Sequence, residues 1–168
     1  MKLFKLFISI ITSVLLFANV SLAEKWDMAL AYGAGNFHSA NATDFAKNVT
    51  EKSGGKLTIV THPGGSLFKG GEIFRAVRTG QAPIGERFMS ALGKEDPLYE
   101  IDSLPFLATT YDDAMKLYEA SKPYIVKSLD EKGLVFLYAV PWPAQGLYSK
   151  KQIKKVGDLN GLKFRAYN

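Results

Sequence analysis

The chain has 168 residues, 47% of them hydrophobic and 22% charged, with a formal net charge of +5 and no cysteine. That is ordinary globular composition, enough for one domain or one and a fraction. The charges are interspersed, which excludes the basic footprint of a nucleic-acid binder, and the missing cysteines exclude disulfide staples, a thiol nucleophile and a lipoprotein's acyl anchor.

Met1-Lys-Leu-Phe-Lys5 is a short basic start, followed by an apolar run from Leu6 to Val20 and the small-residue step Ser21-Leu-Ala23. This order marks residues 1–23 as a secretory signal peptide. The apolar run, broken by Ser9, Thr12, Ser13 and Asn19, is shorter than the ~20 residues that a spanning helix needs. Cleavage after Ala23 removes Lys2 and Lys5, leaving 19 basic against 16 acidic residues and a net charge of +3. The expectation is a soluble protein exported from the cytoplasm.

From Glu24 the pattern alternates strands and helices. Lys25 to Tyr32 reads as a first strand, closed by Gly33-Ala-Gly35. Ala42, Phe45, Ala46 and Val49 recur at helical spacing between Ser39 and Lys52, and Gly54-Gly55 stops that helix. Lys56 to Thr61 alternates as a second strand, so the unit predicts a parallel pair with a right-handed crossover. His62-Pro-Gly-Gly-Ser-Leu-Phe-Lys-Gly-Gly71 is a loop whose glycines fit turns better than a phosphate cradle, since neither GxxxxGK[ST] nor GxGxxG is present. Glu72 to Thr79 predicts a short helix, and Ala82 to Met89 a third strand with Pro83 near its start.

Gly93 to Thr109 is irregular, and within it Leu104-Pro-Phe-Leu107 is apolar enough to be buried. Thr110 and Asp113 have capping-box spacing at the head of a long helix, with Ala114, Leu117 and Tyr118 as its buried stripe and Pro123 as a break. Leu134 to Val140 is nearly all apolar, as in a strand buried on both faces. Pro141-Trp-Pro143 is a sharp change of composition. Gln145 to Ser149 and Leu162 to Tyr167 predict further strands, separated by the basic stretch Lys150 to Lys155. The fold class is α/β.

Catalytic and metal-binding patterns are not visible. Gly64-Gly65-Ser66 lacks the flanking glycine of a nucleophile elbow, and His38 and His62 have no metal-ligand spacing. No cofactor is implied. What does recur is polar and aromatic side chains at strand ends: Tyr32, Asn36, Glu86, Arg87, Trp142, Gln145 and Arg165. Ligands of open α/β sheets collect at those ends, and a guanidinium suits a carboxylate because its fork donates two parallel bonds.

The motif series resembles the extracytoplasmic solute receptors of TRAP transporters, the tripartite ATP-independent periplasmic carriers. It is carried by Trp26, Phe45-Ala46, Ser53-Gly-Gly-Lys-Leu57, His62-Pro-Gly-Gly-Ser-Leu67, Glu72 and Gly80-Gln-Ala-Pro83. Ile101-Asp-Ser-Leu-Pro-Phe-Leu107, Ala114, Leu117-Tyr118, Pro141-Trp-Pro-Ala-Gln-Gly146 and Asp158-Leu-Asn-Gly-Leu-Lys-Phe-Arg165 complete it. The resemblance implies a periplasmic binding protein-like fold of type II. Its two lobes close on a small organic acid and deliver it to integral membrane subunits driven by an ion gradient.

In that family the arginine matched by Arg165 pairs with the ligand's carboxylate. Gln145 stands where a second basic or polar contact is common, which favours a monocarboxylate with hydroxyl or amide groups over a diacid. Family members are roughly double this length. Residues 24–141 are therefore expected to form a first lobe and 142–168 the truncated start of a second. An exported α/β enzyme acting on a carboxylated metabolite, and a receptor serving an ABC-type or sensor partner, are the alternatives.

Overall fold

The computed structural model describes residues 23–165, so nearly all of the expected signal peptide lies outside the described residues. The chain forms two compact units. One holds the residues up to Ala76 together with Gly80–Glu86, the other Val77–Thr79 and the residues from Arg87 onward.

In the first unit, β1 (Glu24–Leu30), α1 (Phe37–Lys52) and β2 (Leu57–His62) follow in order. They form the expected parallel pair, with Trp26 opposite Ile59 and Met28 opposite Thr61. β3 (Ile84–Glu86) joins the free side of β1, also parallel, giving the order β2-β1-β3. β3 is shorter than the sequence suggests: it starts after Pro83, which cannot donate to a ladder, and it ends at Glu86, with Met89 already in a 3-10 turn.

Alternate residues of β1 face α1, and the predicted helical stripe meets them. Met28, Leu30, Ala42, Ala46, Ile59 and Ile84 form the core, with Trp26, Phe45, Val49 and Leu57 packed against it. Small side chains at Ala42 and Ala46 let the helix approach the sheet. Full burial of a residue such as Leu30 or Ile59 contributes about 1.5–3 kcal/mol.

The helix ends as its sequence demands. Gly54 and Gly55 take φ of 61° and 78°, and the Gly55 N–H donates to the Thr50 carbonyl at 2.9 Å. The Ser53 hydroxyl then accepts from Leu57 N at 3.1 Å, tying the turn to β2.

α2 (Ile73–Arg78) is a short helix with Ile73, Phe74 and Ala76 buried. The second unit is built on α3 (Tyr111–Asp130) and a 3-10 segment at Pro97–Ser103, with further 3-10 turns at Met89–Leu92 and Val156–Leu159. Thr110 caps α3 as expected: its hydroxyl accepts from Asp113 N at 3.1 Å and donates to the Asp113 carboxylate at 2.8 Å.

Tyr99, from the 3-10 segment, is 1% exposed and its hydroxyl lies 3.0 Å from Ser128 Oγ on α3. Ser128 donates to Asp96, which also caps the 3-10 segment by accepting from Leu98 N, and Lys132 Nζ donates to Ser128 Oγ at 3.3 Å.

Five expectations are corrected. α3 runs unbroken through Pro123. Proline deprives the Glu119 carbonyl of its helical donor, but Glu119 is exposed, so water can serve it. Leu104-Pro-Phe-Leu107 is not buried: Phe106 is 93% exposed, at a φ of 65° that projects it from the chain. Leu134–Val140 is no strand, and Val135 is 82% exposed. An apolar run becomes a strand only beside a partner backbone, and none among the described residues pairs with it. Gln145–Ser149 and Leu162–Arg165 likewise lack strand pairing, and residues 166–168 of that last expected strand lie outside the described residues.

Candidate functional site

All three strands of the first unit are parallel, so their carboxyl ends share one edge. β1 sits between a strand that follows it and a strand reached after α2, so the chain's progression reverses between β1 and β3. Such a reversal opens a crevice at the carboxyl edge, where ligands of α/β sheets bind. Leu30 and Glu86 are register partners at that point.

Tyr32 begins the loop beyond β1. Its carbonyl accepts from Ser39 Oγ at 2.8 Å and from Gly64 N at 2.7 Å, while Gly65 N donates to the Leu30 carbonyl at 2.9 Å. Gly64 and Gly65 adopt φ of 70° and 67°, which only glycine enters without strain. Their N–H groups thus join the loop after β2 to the end of β1. The glycine-rich loop is structural, as its sequence suggests, and those two donors are not offered to a phosphate.

Asn36 caps α1, its side-chain oxygen accepting from His38 N at 2.9 Å. The helix therefore starts at Phe37, two residues earlier than the apolar spacing indicates. His38 is buried beside the Phe37 ring at 4.1 Å and the Tyr32 ring at 6.0 Å. Burial holds its pKa below the ordinary imidazole value, so the ring stays neutral near pH 7. His62, at the end of β2, bonds Asp27 across the pair at 2.8 Å, and that bond holds the Asp27 carboxyl below the usual carboxylate range. Glu86 is half-buried, with its Oε2 enclosed by protein.

Tyr32, Asn36 and Glu86 thus belong to one sheet edge. The other candidates belong to the second unit. Arg87 is half-buried, and its Nε is enclosed without a hydrogen-bond partner among the described residues. Trp142 is half-buried and meets the Phe88 ring edge-on, with centroids 6.3 Å apart. Gln145 and Arg165 are exposed on segments without regular secondary structure.

Two of the cavities among the described residues lie in this unit. One of about 510 Å³ lies beside Pro97, Ile101 and Leu104, and another of about 600 Å³ beside Tyr148, Lys150, Lys163 and Phe164. Neither is lined by Trp142, Gln145 or Arg165.

Sequence reasoning passed over Phe37 and Phe88, aromatic rings that stand beside candidate residues. Phe37 had a legible signal, the Gly33-Ala-Gly-Asn36 loop leading straight into it; Phe88 had none. Among the described residues, no group of three His, Asp or Glu side chains could hold a metal ion. No described helix is long and apolar enough to cross a membrane.

Comparison with known proteins gives this geometry its class. The profile of the bacterial extracellular solute-binding proteins of family 7, the DctP family, matches residues 30–168, and the chain belongs to that family. It is a family of solute receptors rather than enzymes, so the enzyme alternative finds no support.

Three solved structures are similar. A TRAP solute-binding protein from an unidentified marine microbe, specific for pyroglutamate and carrying it, is 57% identical with a TM-score of 0.82, over 87% of this chain and 48% of that one. DctP6 of Bordetella pertussis, an extracytoplasmic solute receptor binding pyroglutamic acid, is 51% identical with a TM-score of 0.82, over 85% and 48%. DctP7 of the same organism, also binding pyroglutamic acid, is 42% identical with a TM-score of 0.83, over 86% and 48%. The chain thus spans about half the length of the relatives it matches, and its α/β fold is that of TRAP periplasmic binding proteins.

Proposed function

We propose that this chain belongs to an extracytoplasmic receptor for pyroglutamate or a closely similar monocarboxylate, which it delivers to the membrane subunits of a TRAP transporter. One observation carries the reading. Three receptors described as binding pyroglutamate share 42–57% of its residues over 85–87% of the chain.

The chemistry of the candidate residues agrees. Arg165 provides a fork for one carboxylate, and the neutral Gln145 suits an amide better than a second anion. Pyroglutamate is a monocarboxylate with a cyclic amide. Trp142 supplies an apolar wall for its ring, while Tyr32, Asn36, Glu86 and Arg87 contribute from the strand ends. In this reading residues 1–23 are the signal peptide that sends the protein to the periplasm, residues 24–141 belong to the first lobe, and the second begins at Trp142.

Titration calorimetry on the full-length protein tests the ligand class. Pyroglutamate should bind saturably and far more tightly than succinate, and should be recovered chemically unchanged. A preference for succinate, or turnover of the ligand, would overturn the reading.

A further inference from the structure

Basic charge is placed unevenly along this chain. Residues 150–164 carry five lysines, Lys150, Lys151, Lys154, Lys155 and Lys163, against the single acid Asp158. The rest of the chain from Glu24 onward holds fourteen basic and fifteen acidic residues, so the positive excess resides in this one stretch.

All five lysines are exposed, and none forms an ion pair among the described residues. Elsewhere Lys25, Lys47, Lys116 and Lys127 each stand within 4.0 Å of a carboxylate oxygen. Asp158 turns its carboxylate to the backbone instead, accepting from the N–H groups of Lys154 and Lys155 at 3.0 and 3.2 Å.

Apolar side chains are interleaved with this charge. Tyr148 is 91% exposed and Phe164 71%. The cavity of about 600 Å³ has Lys150, Lys151 and Lys163 beside Leu159, Leu162 and Phe164. Lysines without counter-ions around an apolar hollow complement a partner with a negative head and an apolar tail.

We infer that residues 147–164 form a docking surface for the anionic headgroups of a lipid bilayer, holding the receptor loosely on the membrane where its transport subunits lie. Lysine is a compact, hydrated charge on a flexible stem, suited to mobile phosphates, whereas protein–protein interfaces enrich arginine and deplete lysine. Aromatic rings beside lysines suit the same surface, since they settle among headgroups while the charges meet phosphate. Each lysine is worth about fivefold in partitioning, so the attachment is reversible and falls steeply with salt. None of the five belongs to the proposed ligand-binding set, so the inference stands whichever acid the receptor carries.

The test is co-sedimentation of the mature full-length protein with vesicles of phosphatidylcholine, alone or mixed equally with phosphatidylglycerol. In about 0.1 M salt the protein should pellet with the anionic vesicles and not the neutral ones, and about 1 M salt should release it. Replacing Lys150, Lys151, Lys154 and Lys155 together by glutamine should weaken this partitioning by about a hundredfold or more. That variant should keep the parent's melting temperature and its affinity for pyroglutamate. The same charge removed at Lys47, Lys52, Lys116 and Lys127 should change partitioning by less than about fivefold.

Failure to bind the anionic vesicles overturns the inference. So does an equal loss in both quadruple variants, which would mark a bulk-charge effect. Displacement by inorganic phosphate, beyond that by sodium chloride of the same ionic strength, overturns it by revealing a site for a free anion. If purified membrane subunits bind the parent where vesicles do not, and the first variant loses that contact, the surface is a protein interface and the inference fails. Each of these outcomes leaves the pyroglutamate reading untouched.

Discussion

A guanidinium meets a carboxylate as a rigid fork, so its contribution is geometric as well as electrostatic. Truncating one partner of a buried charge pair typically costs about 2–5 kcal/mol. Arg165→Ala in the full-length protein should therefore weaken pyroglutamate binding by about thirtyfold or more, read by calorimetry. Arg165→Lys should recover part of that loss, because charge returns but the fork does not. A full-length Arg165→Ala protein that binds as tightly as its parent would remove Arg165 from the site.

Asn36 has a different role, since its side chain accepts from His38 N at the start of α1. Losing an Asn cap costs about 0.5–2 kcal/mol, so Asn36→Ala should lower the melting temperature by several degrees. If Asn36 also touches ligand, binding will fall further than that destabilisation explains. Of the candidate residues, the sequence made chemical type legible, but strand-end placement only for those beside β1 and β3: Trp142, Gln145 and Arg165 lie on segments that form no strand. The sequence could not reveal that Asn36 is already committed to a helix, because capping depends on the backbone of the next turn.

At the scale of elements, the network joining the Pro97–Ser103 segment to α3 should be sensitive to acid. The Ser128 hydroxyl, and then the Leu98 N–H, hold the Asp96 carboxyl below its ordinary value of 3.8. A carboxyl depressed in the folded state contributes stability that is full above its unfolded pKa and is lost as pH falls through the lower folded value. The melting-temperature gap between parent and Asp96→Asn should thus be widest near neutrality and close below about pH 4. A gap unchanged between neutrality and strong acid would show that the Asp96 charge is irrelevant to this packing.

The same elements show what a sequence carries and what it does not. β1, α1 and β2 were legible because the stripe Ala42, Phe45, Ala46 and Val49, together with the Gly54-Gly55 stop, specifies local structure and burial at once. Leu134–Val140 and Leu104–Leu107 were misread because hydrophobicity reports a preference for burial but says nothing of what covers it. Pro123 was misread because its lost hydrogen bond falls on the exposed side of α3, where water makes the defect inexpensive.

At the scale of the whole molecule, the described residues form two units, and apolar side chains such as Phe106, Val135 and Leu137 stand open to solvent in the second. Extended apolar chain without a strand partner is a template for association. Residues 24–168 expressed alone should therefore self-associate as concentration rises, visible by sedimentation. A strictly monomeric species at high concentration would contradict that.

Recognition of the ligand by the full-length receptor is open to calorimetry with pyroglutamate. Saturable one-to-one binding with a micromolar or tighter Kd is expected, accompanied by a rise in melting temperature with ligand concentration. No heat of binding and no thermal shift with pyroglutamate, in a sample shown to be folded, would contradict it.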